Sequence, residues 1–279
     1  MIKQRESGTV LCEQRGGVLL VTFNRPEALN SLTVQMDREY RGILSSAAGD
    51  PDVRAVVVTG AGRAFCAGAD VSALDALVAD PDKEHFDASF HAPLLLDKPL
   101  VAAVNGGCAG LGLVEALFCD VRIVAEEAKL VTSFAQRGVV AEHGLSFLLS
   151  RIVGEGHARD LLLSSRVISG AEAARIGLAT RAVPREEVLD AALRYAEDMA
   201  RTCAPGSVAV MKNQFRRGFL QQYLREAAED QRLLADAFRG PDFAEGVASY
   251  REKRPPEFRG ISQTLEMPAG YGEWSDQWA

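Results

Sequence analysis

The chain has 279 residues, of which 47% are hydrophobic and 25% are charged, and its formal net charge is −7. These proportions are ordinary for one large globular domain or for a domain with an appendage. The acidic balance and the scattered basic residues exclude an extended surface for nucleic acid.

Hydropathy and cysteine usage indicate the compartment. Met1 is followed by polar residues rather than by the apolar core of a signal peptide, and the apolar run after Leu100 is broken by Asn105 and Glu115 before membrane-spanning length. We therefore expect a soluble, cytoplasmic protein with no membrane partner. The five cysteines include no C-x-x-C pair and the four histidines lack metal-ligand spacing, so reduced thiols and no metal are expected.

The first elements of the chain follow simple patterns. A mostly apolar run predicts a strand over residues 18–23, and Asn24-Arg25-Pro26 ends it because proline removes a hydrogen-bond donor and fixes the chain direction. Apolar residues at helical spacing then predict a helix over residues 33–48. Most of these apolar positions belong to the core.

A glycine-rich stretch follows the next predicted strand, at residues 55–59. Its glycines turn the backbone and expose amides near Ala69; they are Gly60, Gly62 and Gly68. A dinucleotide-binding fingerprint would need a further glycine where the chain has Phe65, so nicotinamide binding is excluded. Asp70 is positioned to be the N-cap of a helix over residues 71–78.

The stretch at residues 101–120 organises the rest of the chain. Before it, residues 80–91 are charged without a clean period, which predicts a loop or a helix with an exposed face. A buried-strand pattern then breaks at Asn105-Gly106-Gly107, and Gly110-Leu111-Gly112 opens an apolar helix that runs to about Phe118. Such a helix start offers backbone N–H groups to a developing negative charge, although a close-packed turn would look the same.

The following segments alternate short strands and helices. Strands are predicted at residues 121–125 and 129–132, and residues 138–141 lead into a helix that starts near Glu142. Ser169 and Glu172 form a capping box for a later helix. These repeated units suggest a ββα spiral.

The C-terminal third is predicted to be helical. Apolar residues recur at helical spacing over residues 185–201 and 205–250, and there are too many of them for isolated surface helices. This region therefore packs on the first domain or on a neighbouring subunit. Beyond it, Trp274 and Trp278 are large apolar groups in a tail that has no assigned function.

Four segments, in this order, resemble the enoyl-CoA hydratase/isomerase family, also called the crotonase superfamily. They are residues 24–30 (NRPEALN), 62–70 (GRAFCAGAD), 105–120 and 245–258 (EGVASYREKRPPEF), and the resemblance covers about residues 10–258. It implies an α/β fold with a crotonase-like ββα spiral core over residues 1–200. It also implies a helical C-terminal oligomerisation region over residues 201–259, which builds homotrimers or dimers of trimers, and it leaves residues 260–279 as a tail.

The resemblance also implies a site for an acyl-CoA thioester, with coenzyme A as part of the substrate and no other cofactor. The amides of Ala69 and Leu111 would stabilise the enolate oxygen. The residues implied in CoA binding are Arg25, Glu27, Ala28, Leu29, Ala67, Asp70, Val71, Tyr250 and Lys253. Simpler alternatives are a solvated turn cation for Arg25, a helix cap for Asp70 and a solvated helix end for Tyr250 and Lys253.

The acid/base residues depart from the family pattern. Hydratases of the family use two glutamates, and the matching positions here hold Val114 and Phe134. Glu142 instead matches a catalytic carboxylate of the family's isomerases, although an acidic residue at a helix start is also favoured by the helix dipole. Glu115 is interpreted as structural or surface-facing because one helical step rotates a side chain by about 100°. His143 could orient Glu142 or the substrate, but a surface imidazole is the simpler interpretation.

These observations lead to a hypothesis about the reaction. The protein would hold an enoyl-CoA thioester oxygen at the Ala69 and Leu111 amides while Glu142 moves a proton between C2 and C4, which is Δ3,Δ2-enoyl-CoA isomerisation. The alternatives are hydration of a 2-enoyl-CoA with Glu142 as the only carboxylate, another acyl-CoA reaction such as decarboxylation or thioester hydrolysis, and a non-catalytic acyl-CoA-binding oligomer.

Overall fold

We analysed a computed structural model, which describes residues 4–5, 8–83 and 88–260. The strands are β1 Gln4–Arg5, β2 Val10–Arg15, β3 Val18–Phe23, β4 Ala55–Gly60, β5 Ala64–Cys66, β6 Leu100–Val104, β7 Gly107–Ala109, β8 Val121–Ala125, β9 Lys129–Val131, β10 Ile168–Ser169 and β11 Arg181–Val183. The helices are α1 Val34–Gly49, α2 Val71–Ala79, α3 Ala92–Leu95, α4 Leu111–Phe118, α5 Leu145–Val153, α6 Glu155–Ser164, α7 Gly170–Arg175, α8 Val188–Thr202, α9 Pro205–Arg217, α10 Leu220–Phe238 and α11 Pro241–Glu252.

The strands form two sheets. The larger has seven strands in the order β1-β2-β3-β4-β6-β8-β11, and it is parallel from β3 onward. The smaller has four strands in the order β10-β9-β7-β5. Strands β4 and β6 are buried at every residue, as expected for parallel strands covered on both faces.

The chain builds these sheets as a spiral. Each turn gives one strand to the large sheet, the next strand to the small sheet, and then a helix: β4-β5-α2, β6-β7-α4 and β8-β9-α5. Strands β5 and β7 are parallel neighbours, so the helices that follow them begin side by side. The ββα spiral expected from the sequence is confirmed.

Most predicted elements are observed with small boundary changes. Thr33 caps α1 by accepting a hydrogen bond from the Met36 amide, and Ser169 caps α7 by accepting one from the Glu172 amide. The helix predicted to start near Glu142 begins at Leu145 instead. The reason is that His143 and Gly144 have φ angles of +54° and +69°, which are incompatible with a right-handed helix.

The helices after residue 205 pack back on the spiral. Tyr223 and Ala227 of α10 join the main core, while Leu234, Phe238 and Phe243 form a smaller cluster with Leu77 of α2. Helix α11 also contacts the 3-10 turn Ala135–Arg137. None of the helices in the described residues is long and apolar enough to cross a bilayer. Residues 84–87 of the predicted 80–91 loop, and the tail from residue 261 with Trp274 and Trp278, lie outside the described residues.

Candidate active site

Two backbone segments meet where strands β5 and β7 end. A close approach of α4 to β5 requires glycine at Gly112, because a Cβ atom there would lie 2.2 Å from the carbonyl oxygen of Cys66. A Cβ atom on Gly68 would lie 3.7 Å from the Cα atom of Gly110, so the two segments are in contact. The next residues along these segments are Ala69 and Leu111.

The Ala69 amide is turned away from the neighbouring strand segment. The Leu32 amide donates to the Gly68 carbonyl at 2.7 Å, and the Asp70 amide donates to the Leu32 carbonyl at 2.9 Å. Since Leu32 bonds to both neighbours of Ala69, the N–H of Ala69 points to the opposite side. Leu111 is the first residue of α4. Neither the Ala69 nor the Leu111 amide donates a hydrogen bond to any other described residue.

Ala69 and Leu111 line a mostly apolar cavity of about 560 Å³. Three other predicted site residues line it as well, namely Ala67, Glu142 and Tyr250. Apolar side chains from α2, α10 and α11 form much of the remaining wall: Leu74, Leu77, Leu234, Phe238 and Phe243. Of the described residues that line the cavity, Glu142 is the only one with a carboxylate. A cavity of this size and polarity is typical of a site for a small organic ligand.

Glu142 lies in the turn that precedes α5, with its side chain 13% exposed. Burial, followed by the nearby charge of Asp230, raises the pKa of Glu142 to about 8. Its Oε2 atom lies 3.7 Å from Nε2 of His143. Phe134, at one of the two positions where the family's hydratases have a glutamate, lines the same cavity. A carboxyl group in these surroundings has a pKa close to neutral pH, which suits proton transfer.

Distant residues hold the Glu142 turn in place. Oδ2 of the buried Asp230 accepts a hydrogen bond from the Gly144 amide at 2.7 Å, and the Tyr223 hydroxyl donates to the His143 carbonyl at 2.9 Å. The same hydroxyl lies 2.7 Å from Nδ1 of His91. These contacts fix the left-handed turn on both sides. No sequence signal identified Asp230, and Tyr223 only contributes to the apolar helical spacing of residues 205–250.

The prediction of a surface imidazole at His143 is wrong. Its side chain is 1% exposed and stacks on the ring of Phe90, with the two ring centroids 4.1 Å apart. This burial could not be predicted from local spacing, because Phe90 lies on a separate segment, 53 residues earlier in the chain.

The first predicted CoA-binding segment is packed beside the Ala69 segment. The Arg25 guanidinium forms an ion pair with Asp70 at 2.8 Å and donates to the Ser31 carbonyl at 2.6 Å, so Arg25 is not a free turn cation. Asp70 also caps α2 by accepting from the Ser72 amide at 3.0 Å, as predicted. Pairing and these hydrogen bonds outweigh the effect of burial and hold the pKa of Asp70 at about 2.

The remaining predicted CoA-binding residues lie away from the cavity wall. The Leu29 carbonyl accepts a hydrogen bond from the Ala67 amide at 3.1 Å, which joins the Glu27 and Ala28 turn to the Ala69 segment. Lys253 is exposed and ends α11 with φ +55°. Seven of the predicted CoA-binding residues, all within the described part of the chain, do not line the cavity: Arg25, Glu27, Ala28, Leu29, Asp70, Val71 and Lys253.

Glu115 is structural, as predicted, but it is buried rather than surface-facing. Its side chain is 1% exposed and forms a two-pronged ion pair with Arg41, which also pairs with Asp37 at 2.8 Å. Burial raises the pKa of Glu115 to about 7 even though Arg41 opposes that shift. Among the described residues, no group of three or more His, Cys, Asp or Glu side chains is placed to hold a metal ion.

The repeated ββα turns and the two adjoining helix starts are those of the crotonase fold. A crystal structure of an enoyl-CoA hydratase/isomerase from Pseudoalteromonas atlantica has a TM-score of 0.82 and 30% identity, covering 90% of this chain and 100% of that one. The family model for enoyl-CoA hydratase/isomerase matches residues 13–261. The chain therefore belongs to the enoyl-CoA hydratase/isomerase family, whose members are acyl-CoA enzymes.

The names of similar proteins include both hydratases and isomerases. A probable enoyl-CoA hydratase of Mycobacterium bovis is 35% identical over 90% of this chain and 97% of its own length. The 1,2-epoxyphenylacetyl-CoA isomerase of Escherichia coli is 34% identical over 90% of this chain and 98% of its own length. The choice between hydration and isomerisation therefore depends on the site itself.

Proposed function

We propose that this protein is a Δ3,Δ2-enoyl-CoA isomerase. Glu142 removes a proton from C2 of a 3-enoyl-CoA, and the electron pair moves into the thioester carbonyl to give a dienolate. The same carboxyl group then returns the proton to C4, so that the double bond moves from C3–C4 to C2–C3. No atom is gained or lost, and no redox partner is needed.

The amides of Ala69 and Leu111 are the proposed donors to the dienolate oxygen. Both residues line the cavity, and neither amide has an acceptor among the described residues. Donors that are already oriented stabilise developing charge without reorganisation, and loss of one such donor typically costs about 2.7–4 kcal/mol in the transition state. The Arg25–Asp70 pair and the Leu29–Ala67 hydrogen bond support this proposal because they fix the segment that carries Ala69.

The observation that carries the proposal is the single carboxylate of the cavity lining. Glu142 supplies it, while Phe134 and the buried Val114 occupy the positions of the two hydratase glutamates. One carboxyl group suffices to take a proton and return it at another carbon. Hydration requires in addition that a water molecule be oriented and activated, and among the described residues no second carboxylate lines the cavity for that task.

The CoA part of the substrate is proposed to run past residues 25–29 and 67–71, with Tyr250 and Lys253 near its phosphates. The helical region over residues 201–259 is proposed to assemble the spiral cores, over residues 1–200, into trimers or dimers of trimers. Exposed apolar side chains of α9 support an interface there, since Phe215 is 77% and Val210 58% exposed. Sedimentation equilibrium of the full chain tests the assembly.

The test of the activity uses two ultraviolet assays on the purified protein. Formation of the conjugated thioester from a 3-enoyl-CoA, without loss of absorbance from a 2-enoyl-CoA, is the expected result. Glu142→Gln should reduce the first rate by about 10²–10⁴-fold, the usual contribution of a general acid/base. Loss of absorbance from the 2-enoyl-CoA without a gain from the 3-enoyl-CoA would indicate a hydratase. No absorbance change in either assay would indicate another acyl-CoA reaction or binding alone.

A further inference from the structure

Arg137 lines the same cavity as Glu142. It ends the short 3-10 turn Ala135–Arg137, and its backbone is packed tightly against α11. A Cβ atom on Gly246 would lie 2.4 Å from the carbonyl carbon of Arg137, so only glycine allows this approach. The position of Arg137 relative to α11 is therefore fixed by backbone packing.

The guanidinium stacks on the ring of Tyr250, with 4.0 Å between its central carbon and the ring centroid. This contact orients the planar group without neutralising its charge. Its hydrogen bond to the Gln136 carbonyl is 3.3 Å long, and it forms no ion pair with a carboxylate in the described part of the chain. Burial lowers the pKa of Arg137, as expected for a cation that lacks a compensating anion.

Two other partly or fully buried arginines are paired with carboxylates. Arg25 pairs with Asp70, and Arg41 pairs with Glu115. A partly buried guanidinium without such a partner can bind an anion, and its planar fork suits the oxygens of a phosphate or a carboxylate. In a chain of net charge −7, a cation in the cavity wall is also a local exception to the prevailing field.

We propose that Arg137, held against Tyr250, binds an oxyanion of the acyl-CoA substrate. The inference rests on the proposed function in that it takes the ligand to be an acyl-CoA. The oxyanion is a phosphate of the CoA moiety or a carboxylate carried by the acyl chain. Both present oxygens that can accept two parallel hydrogen bonds from one guanidinium.

The experiment compares Arg137→Met, which removes the charge but keeps an unbranched stem against Tyr250, with Arg137→Lys and with the exposed control Arg217→Met. Three substrates separate the sources: a 3-enoyl-CoA, the same acyl group on pantetheine, and a 3-enoyl-CoA with a terminal carboxylate. Loss of a charge-assisted contact should raise KM roughly ten- to hundredfold with kcat little changed. Arg137→Lys should recover part of this loss, and Arg217→Met should behave as the wild type.

The pattern over the substrates identifies the oxyanion. If it is a CoA phosphate, Arg137→Met weakens both CoA esters and leaves the pantetheine ester unchanged. If it is an acyl carboxylate, the loss appears only with the carboxylated chain. An unchanged KM for all three substrates would overturn the proposal.

Calorimetric titration with free CoA, and with a saturated acyl-CoA that has a terminal carboxylate, separates this proposal from the proposed reaction. Weaker binding of either ligand by Arg137→Met than by Arg217→Met supports the site, even if the wild type shows no isomerase activity. If Arg137→Met and Arg217→Met bind both ligands equally, and the protein isomerises 3-enoyl-CoA normally, the result would contradict the proposed oxyanion site but not the proposed reaction.

Discussion

The pH dependence of turnover tests the acid/base role of Glu142 directly. With a pKa of about 8, Glu142 is ionised in roughly one molecule in ten at pH 7. Only the ionised form can remove the C2 proton, so kcat/KM should rise about tenfold per pH unit up to about pH 7 and level off above pH 8.

Asp230→Asn makes this prediction specific. The amide oxygen of asparagine can still accept the hydrogen bond from Gly144, but the charge that raises the pKa of Glu142 is gone. Removal of a like charge should lower the pKa of Glu142 by about one unit, equivalent to about 1.4 kcal/mol. The inflection of kcat/KM should therefore move to lower pH, and the rate at pH 6 to 7 should increase.

Asp230→Ala serves as the companion variant because it removes both the charge and the acceptor for Gly144. It should lower kcat, since the turn that positions Glu142 loses its hydrogen bond to α10. The profiles are measured from the conjugated-thioester absorbance between about pH 6 and 10, which extends about two units on either side of the expected wild-type transition at about pH 8. A flat wild-type profile, or an Asp230→Asn profile that superimposes on it, would refute the reasoning.

Three further changes test the scaffold around the site. Arg41→Met leaves Glu115 buried without its cation, and we expect urea denaturation to show a loss of about 3 kcal/mol or more; a loss below about 1 kcal/mol would contradict the importance of this pair. Gly144→Ala would place a Cβ atom 2.5 Å from an aromatic ring at a φ of +69°, so both kcat and the free energy of unfolding should fall, the latter by about 1–3 kcal/mol. Gly156→Ala, where a Cβ atom meets open space, should change stability by less than about 1 kcal/mol. Asp70→Ala should lower the thermal midpoint because it removes the α2 cap and the ion pair with Arg25, at a cost of about 1–2 kcal/mol. Asp70→Asn should retain much of the capping and lose less stability. Equal losses in the two variants would show that the cap contributes little.

Features with a local cause could be predicted from the sequence. The buried strand at Val18–Phe23 and the caps at Asp70 and Ser169 depend on residues within a few positions of one another, and all were observed as expected. The spiral order of the elements came from the family resemblance. It brings the segments with Ala69 and Leu111 into contact, as the resemblance implied.

Features caused by distant residues could not be predicted in the same way. The helix after Glu142 starts three residues late because Asp230 and Tyr223, at least 80 residues away in the chain, hold the preceding turn. Glu115 lies inside the protein because Arg41, which is 74 residues earlier, accompanies it there. Neither partner is marked by a spacing or a motif, so the contacts appear only once the chain is folded.

The loss of the hydratase glutamates and the raised pKa of Glu142 are connected physically. An apolar Phe134 in the cavity wall withdraws solvent from the carboxyl group that remains, and burial is the largest cause of its shifted pKa. A base that must first accept a proton and then return it works best when its pKa lies near the operating pH. In the proposed mechanism, Phe134 and Val114 leave no second carboxylate to activate water, and Glu142 acts as a reversible proton shuttle. A Phe134→Glu variant should therefore lower the isomerase rate at pH 7, because the added like charge raises the pKa of Glu142 further.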